Sequence, residues 1–393
     1  MTAAPPQTEN PEMPVAAIAG IIATVAVFAI SQGLSYPLLS FILQRQGVSP
    51  ALIGMSAAMT PLGFILSSFF IPAMSRHVGS GRLAVFCALS AAVLLVAIAW
   101  RQDALWWFPL RFLLGFAANP LYVISETWMI AMAPAERRGR LMGVYASIVS
   151  AGFALGPVTL AIVGTEGWAP FLVGVAAFLL CALILLLALP RLPEMQDEKP
   201  PTSVAGFVLV APLLLFAVFT AAAFEQALLA LFSVYGEAHG SSETRIATLL
   251  AVFIAGNVAL QIPLGALAER VGAIKVMLLC AVVAVGGCAL LPMLLASSLI
   301  WPVAFVWGAV AFGIYTMGLI MLGERFSGPM LMTGNAAFAL VWGLGGIAGP
   351  PVTGAIMDLI GVEGLPLALG LLCGSLVVCI LAGLALPKRG ASA

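Results

Sequence analysis

Charge is scarce in this sequence. Of 393 residues, 16 are Lys or Arg, 16 are Asp or Glu and 2 are His, so charged side chains make up 8% of the chain. A soluble globular domain carries about 25%, and a chain this poor in charge cannot cover itself for life in water. The two signs cancel, so no net field draws in nucleic acid or an acidic surface. Cysteine is also sparse. Cys87, Cys181, Cys280, Cys288, Cys373 and Cys379 all fall within apolar runs, and none has the paired spacing of a zinc site, so they read as small buried hydrophobes without disulfides. The sequence contains no phosphate-binding glycine loop, metal-ligand pattern or nucleophile triad. Hydrolysis and ATP-driven work therefore lack support: the expectation is no enzyme, no metal and no cofactor. Residues 1–14 are polar and Pro-rich, without a basic n-region or a cleavage site, and are expected to form a short disordered cytoplasmic tail rather than a signal peptide.

What is abundant is apolar sequence. Hydrophobic residues make up 62% of the chain and mean hydropathy is +1.14. Apolar runs bounded by charged or Pro/Gly-rich breaks predict twelve spans, at 15–43, 51–73, 83–100, 105–132, 141–164, 168–189, 205–235, 245–267, 276–296, 301–323, 333–359 and 365–386. Each is near the roughly 20 residues a bilayer requires. The longest polar stretch in the interior is a cytoplasmic linker at 191–203, which separates bundles at 15–190 and 204–387, and 388–393 forms a cytoplasmic tail. With the N-terminus in the cytoplasm, cytoplasmic connections hold Arg76, Arg82, Arg137, Arg138, Arg140, Arg191, Lys199, Arg270, Lys275, Arg325, Lys388 and Arg389. The other side holds Arg45, Arg101 and Arg245, with Arg111 near a helix end. That bias places both termini in the cytoplasm.

The sequence also repeats itself. Positions 193 apart match: Gly79 with Gly272, Gly115 with Gly308, Gly152 with Gly345, Gly156 with Gly349, Pro157 with Pro350, and Gly47 and Ser49 with Gly240 and Ser242. The G-x-x-x-G-P run recurring in register carries the most weight. Two six-helix halves related by an axis along the membrane normal place a substrate path between them, near the bilayer midplane.

These residues carry a resemblance over nearly the whole chain. The loop Gly265-Ala266-Leu267-Ala268-Glu269-Arg270-Val271-Gly272 with Lys275 resembles the motif between paired helices of the major facilitator superfamily (MFS). Its first-half counterpart has Pro72, Arg76, His77 and Gly79 where Gly, Asp, Arg and Gly are usual. Arg111 and Gly115 are similar to the R-x-x-x-G of proton-coupled members. Gly152 to Pro157 resembles the antiporter motif of drug–proton exchangers, with Leu160 and Ala161 in place of a trailing glycine pair. Ser125-Glu126-Thr127-Trp128 with Arg138-Gly139-Arg140-Leu141 is similar to the YcaD-like branch. The resemblance implies an all-α fold of twelve transmembrane helices in two pseudo-symmetric six-helix bundles. It also implies efflux, and a latch of the halves through Gly265, Glu269 and Arg270.

Ionisable groups inside a membrane are expensive, and usually face a cavity or a partner. Arg111, Glu126 and Glu225 lie well inside predicted spans and are the candidates for proton coupling. Arg111, Gly115, Tyr122 and Glu126 share a stripe roughly 60° wide on the fourth span, with Asn119 close by, and the expectation is that this stripe faces the central cavity. Glu225 is equivalent by the repeat to Gln32, which sets an acid against an amide across the two halves. Candidates to line the substrate path are Gln32, Tyr36, Asn119, Tyr122, Glu225, Gln226, Asn257, Gln261, Tyr315, Asn335 and Trp342. Gly152, Gly156, Pro157, Gly345, Gly349 and Pro350 are candidate packing and gating positions. Asp358 sits near the outer end of its span, and His77 and His239 lie in loops.

The expected function is secondary active transport by alternating access: proton-coupled export of a small, partly apolar organic compound. The alternatives are an importer or facilitator of a metabolite such as an amino-acid or organic-acid derivative, or a non-transporting sensor or assembly protein. Expected partners are a small-molecule substrate, protons and the lipid bilayer, with no nucleic acid. The chain is expected to be a monomer in a bacterial inner membrane.

Overall fold

A computed structural model of the chain describes residues 15–132, 138–191 and 204–385. The expected tails and most of the linker lie outside these residues. The first half comprises α1 (Val15–Arg45), α2 (Pro50–Val78), α3 (Ser80–Trp100), α4 (Ala104–Met132), α5 (Arg138–Val163) and α6 (Ala169–Ala188), closed by a 3-10 turn at Leu189–Arg191. The second comprises α7 (Val204–Val210), α8 (Pro212–Ala238), α9 (Glu243–Val271), α10 (Ala273–Leu294), α11 (Ile300–Arg325), α12 (Gly328–Ile360) and α13 (Gly364–Ala385). Only helices can satisfy every backbone N–H and C=O within lipid without closing a barrel. Apolar runs of this length therefore become helices, even with prolines such as Pro37, Pro120 and Pro263 inside them. Among the described residues, eleven helices are long and apolar enough to cross a membrane, and α5 adds a shorter apolar stretch at Ser147–Val163. Large apolar side chains such as Phe69, Val93, Ile262 and Leu359 stay exposed on the outside, where hydrocarbon rather than water would meet them. Five of the cysteines are buried, and Cys379 on α13 is exposed.

The seventh span differs from its expected form. It is broken at Ala211, whose backbone (φ −139°, ψ 55°) leaves the helix, and α8 restarts with Pro212 in its first turn. The proline ring disfavours the helical region for the residue before it.

The repeat is written into the packing. Ser49 and Ser242 cap α2 and α9, accepting the N–H of Leu52 and of Arg245. Gly79 and Gly272 end those helices at φ 87° and 95°, a region that favours glycine. In the first half, Gly115 of α4 lies so close to α2 that a Cβ would sit 2.1 Å from the Thr60 carbonyl oxygen. In the second, a Cβ on Gly308 of α11 would sit 1.8 Å from that of Phe253 on α9, the position equivalent to Thr60. Gly152 packs on Ala29 of α1, and Gly345 packs on the equivalent Ala222 of α8. The register departs at one place. Gly156 nests on the Gly33–Leu34 backbone, whereas Gly349 nests on Ala223, one turn earlier than strict equivalence requires. The equivalent of Gly33 is Gln226, whose Cγ lies 3.3 Å from where a Cβ on Gly346 would sit.

A central cavity between the halves

The two halves meet through α2 on α12, α5 on α9, and α1 on α8. Against α2, glycines allow backbone contact. A Cβ on Gly54 would sit 2.2 Å from the Pro350 carbonyl oxygen, and one on Gly354 would sit 2.3 Å from that of Pro50. Further along, Gly346 faces Pro61 and Gly343 faces Ile65. This seam spans some 15 residues of α2, about 22 Å of helix.

Polar contacts close the same end. Arg45 at the end of α1 reaches Glu243 in the first turn of α9 (3.5 Å), as well as Glu166 (3.3 Å) and the Thr165 carbonyl oxygen (2.7 Å). The Thr165 hydroxyl donates to the Glu243 carboxylate. The Ala51 N–H donates to Asp358 of α12 at 3.2 Å. Arg45–Glu243, Thr165–Glu243 and Ala51–Asp358 each join one half to the other. Arg45, Gln46, Gln102, Thr165 and Glu166 also line a cleft of about 210 Å³ on this face. Beside it, His239 bonds Glu363 (2.9 Å) and the Tyr235 carbonyl oxygen (2.8 Å) within the second half. At the opposite end, α4 and α11 show no extensive packing on one another among the described residues. The halves are therefore sealed on the face bearing the α1–α2 and α8–α9 connections.

Inward from this seal, Arg111 of α4 is 1% exposed. Its Nη1 donates to Ser56 Oγ of α2 at 3.3 Å, and its Nε has no partner among the described residues. Tyr36 of α1, also buried, lies within electrostatic range of both Arg111 and Glu225. Near mid-depth, Gln32 of α1 is buried with Nε2 unpartnered, and Glu225 of α8 has an unpartnered Oε2. Glu225 and Gln226 nevertheless keep some accessible surface deep in the protein, so a void touches them. Aromatic rings form the next layer. Tyr315 of α11 packs edge-on to Trp342 of α12 at 4.8 Å, and Tyr122 of α4 lies 6.5 Å from Tyr145 of α5. Tyr122, Tyr315 and Trp342 retain accessible surface. Closest to the unsealed end are Glu126, partly accessible, and Asn335, exposed. Among the described residues no ion pair includes Arg111, Glu126 or Glu225.

Part of the α4 stripe also packs on a neighbouring helix. Arg111, Gly115 and Asn119 meet α2 at Ser56, Thr60 and Phe64 in steps of four residues. The Asn119 amide also donates to Ser67 (2.8 Å) and Ser68 (2.9 Å). The second half binds the equivalent seam the same way, through Thr316 to Gln261 and Gln261 to Asn257. Close glycine contact at Gly115 and Gly308 brings these helices near enough for the polar side chains to bond across. Tyr122 and Glu126, further along the stripe, turn to the void. At the end of α9, Glu269 and Arg270 are exposed, and Gly265 has open space around its Cα.

Sequence reasoning passed over the seal. Arg45 and Glu243 are nearly 200 residues apart, and only the fold brings them together. Asp358, near the outer end of its span, accepts from the Ala51 N–H of α2. Tyr145 and Ser56 were also missed; a polar tip within a predicted span was the available signal.

Two helical bundles of common design, meeting around buried polar side chains and packed together at one end, have the architecture of a membrane transporter. The profile of the Major Facilitator Superfamily matches twice, over residues 21–215 and 214–393. The chain belongs to that superfamily. It is similar to the uncharacterized MFS-type transporter YfkF of Bacillus subtilis, 26% identical over 358 residues, covering 86% of this chain and 88% of that protein. The uncharacterized YcaD of Escherichia fergusonii is 26% identical over 255 residues, covering 64% of this chain and 65% of that one. Among solved structures, the nucleoside transporter NupG superposes with a TM-score of 0.75 at 16% identity, over 95% of this chain and 100% of that one. A bacterial homologue of the lysosomal transporter Spinster, inward-facing and unoccupied, gives 0.73 at 13% identity, over 95% and 96%. These structures share the fold. The protein is a multi-pass membrane transporter, not an enzyme.

Proposed function

We propose that this chain is a proton-coupled antiporter that exports a small, partly apolar organic compound across a bacterial cytoplasmic membrane, acting as a monomer with both termini in the cytoplasm. The observation that carries the reading is the pair of carboxylates, Glu126 and Glu225, at two depths of one cavity and without a cationic partner among the described residues. A carboxyl whose surroundings alternate between wet and dry must take up and release a proton as they change. Rocking of the halves supplies that alternation. Glu126, nearer the unsealed end, serves coupling. Glu225, at mid-depth beside Gln226 and across from Gln32, serves the substrate. The aromatic layer of Tyr122, Tyr315 and Trp342 suits an apolar body, and the likeness of Gly152–Pro157 to the drug-antiporter motif supports efflux. The bias of basic residues supports cytoplasmic termini, which makes the sealed face external and the conformation inward-open.

The test is proton flux in everted vesicles with an acidified lumen, using compounds selected by a growth screen across toxic molecules. Antiport predicts that adding substrate outside the vesicles discharges the gradient. A symporting importer or a uniporting facilitator gives no such discharge and would overturn the reading.

A further inference from the structure

Three of the seven buried side-chain atoms that lack a hydrogen-bond partner among the described residues belong to the mid-depth cluster, and they sort by half. Those of the first half, Arg111 Nε and Gln32 Nε2, are donors. That of the second half, Glu225 Oε2, is an acceptor. Tyr36, on the same helix as Gln32, lies within electrostatic range of both charged groups. Arg111 and Gln32 are 1% and 2% exposed, so bulk water does not satisfy them. Leaving such groups unpaired is costly, most of all a guanidinium whose hydrogen-bond partner among the described residues is a serine hydroxyl. A ligand that answers them all must carry an acceptor-rich, anionic end for α1 and α4 and a donor-rich, cationic end for α8.

We propose that this cluster binds a dipolar solute of the amino-acid class, with its carboxylate against Arg111, Gln32 and Tyr36, its ammonium against Glu225, and its apolar body against Tyr315 and Trp342. The proposal rests on the reading of the central cavity as the transport site, and names its ligand class. A carboxylate suits a guanidinium because two oxygens can accept from its planar fork. An ammonium suits Glu225 because it donates without leaving a second charge uncompensated. Anion-only solutes leave Glu225 unanswered, and cation-only solutes leave Arg111 unanswered. A site whose buried polar groups stay unpaired discriminates strongly against the incomplete ligand. Because the two charges are held by different halves, only the dipolar solute ties the halves together. It therefore favours whichever state brings α1 and α4 closest to α8.

The experiment uses the purified full chain in lipid nanodiscs at fixed pH, with no proton gradient. Thermal stabilisation and intrinsic tryptophan fluorescence report binding of matched sets. Each set holds a free amino acid (phenylalanine, leucine, tryptophan or an ω-amino acid of similar length), its methyl ester as the cation and its N-acetyl derivative as the anion. At least one free amino acid is expected to bind tenfold or more tightly than both of its monopolar relatives. Glu225→Gln should erase the preference over the N-acetyl derivative, and Arg111→Gln the preference over the ester. Should Arg111→Gln fail to fold, Gln32→Leu, which removes the other unpartnered donor, should reduce the same preference at least threefold. Monopolar members binding as well as the dipolar one, or no free amino acid binding at all, would overturn the proposal. Its failure leaves the proton-flux test untouched, and loss of proton coupling with the binding preferences intact would leave the ligand class standing.

Discussion

Removing the charge of Glu243 should unseal the closed face. Its carboxylate lies 3.5 Å from Arg45 and accepts from Thr165, both in the other half. The Arg45 and Glu243 side chains are 31% and 29% exposed, so the pair is partly screened and contributes about 0.5–1 kcal/mol. Exchanging the carboxylate for an amide also turns a charge-assisted hydrogen bond from Thr165 into a neutral one, a loss of about 0.5–1 kcal/mol. Arg45 keeps Glu166 and the Thr165 carbonyl, so nothing is left stranded. Glu243→Gln therefore shifts the balance by about 1–2 kcal/mol towards the state open on this face, roughly a five- to thirtyfold change in the population ratio. Spin labels at Gln102→Cys and Ser298→Cys, both exposed on that face in opposite halves, report the ratio as a distance distribution on a background without the native cysteines. Adding Arg45→Gln to Glu243→Gln should cost less than the two single changes together, because the substitutions share one interaction. A ratio unchanged within twofold in Glu243→Gln would refute the reasoning and leave the glycine seam of α2 and α12 as the whole seal.

Glu269→Gln tests the opposite end. Under the proposed latch role of this loop, and with Glu269 exposed on the unsealed side, its neutralisation should further enrich the population open on that side. Distance measurements showing no change would remove the latch role from this half. Gly308→Ala places a Cβ 1.8 Å from the Phe253 carbonyl, forcing α9 and α11 apart at a cost of about 1–3 kcal/mol. It should melt below the wild type, whereas Gly286→Ala, with open space around it, should not. Equal melting of both variants would contradict the close approach of these helices.

The fold was legible because its signals are local. Apolar length located the spans, and the repeat matches of Ser49 with Ser242 and of Gly79 with Gly272 fall at helix ends. The repeat was legible because glycines such as Gly115 and Gly308 are dictated by backbone approach and cannot drift. The break at Ala211 was missed although Pro212 announced it, because hydropathy runs unbroken through both. Within the cavity, rarity alone singled out Arg111, Glu126 and Glu225. What sequence could not supply was the direction of each side chain. Beside a stripe about 60° wide, Asn119 turned to α2 while Tyr122, less than one turn further on, met the void. The seal was illegible for a simpler reason: Arg45, Thr165 and Glu243 read as ordinary loop and helix-end charges until the halves are placed side by side.

The central claim is that protonation of cavity carboxylates drives alternation. The most direct measurement follows the inward/outward ratio with the Gln102–Ser298 label pair across a pH series. It compares the wild type with the double variant Glu126→Gln/Glu225→Gln, in which the amide keeps the size of the side chain but cannot titrate. The account predicts a pH-dependent shift of the distance distribution in the wild type and a pH-independent distribution in the double variant. A wild type indifferent to pH, or a double variant that responds as the wild type does, would contradict it.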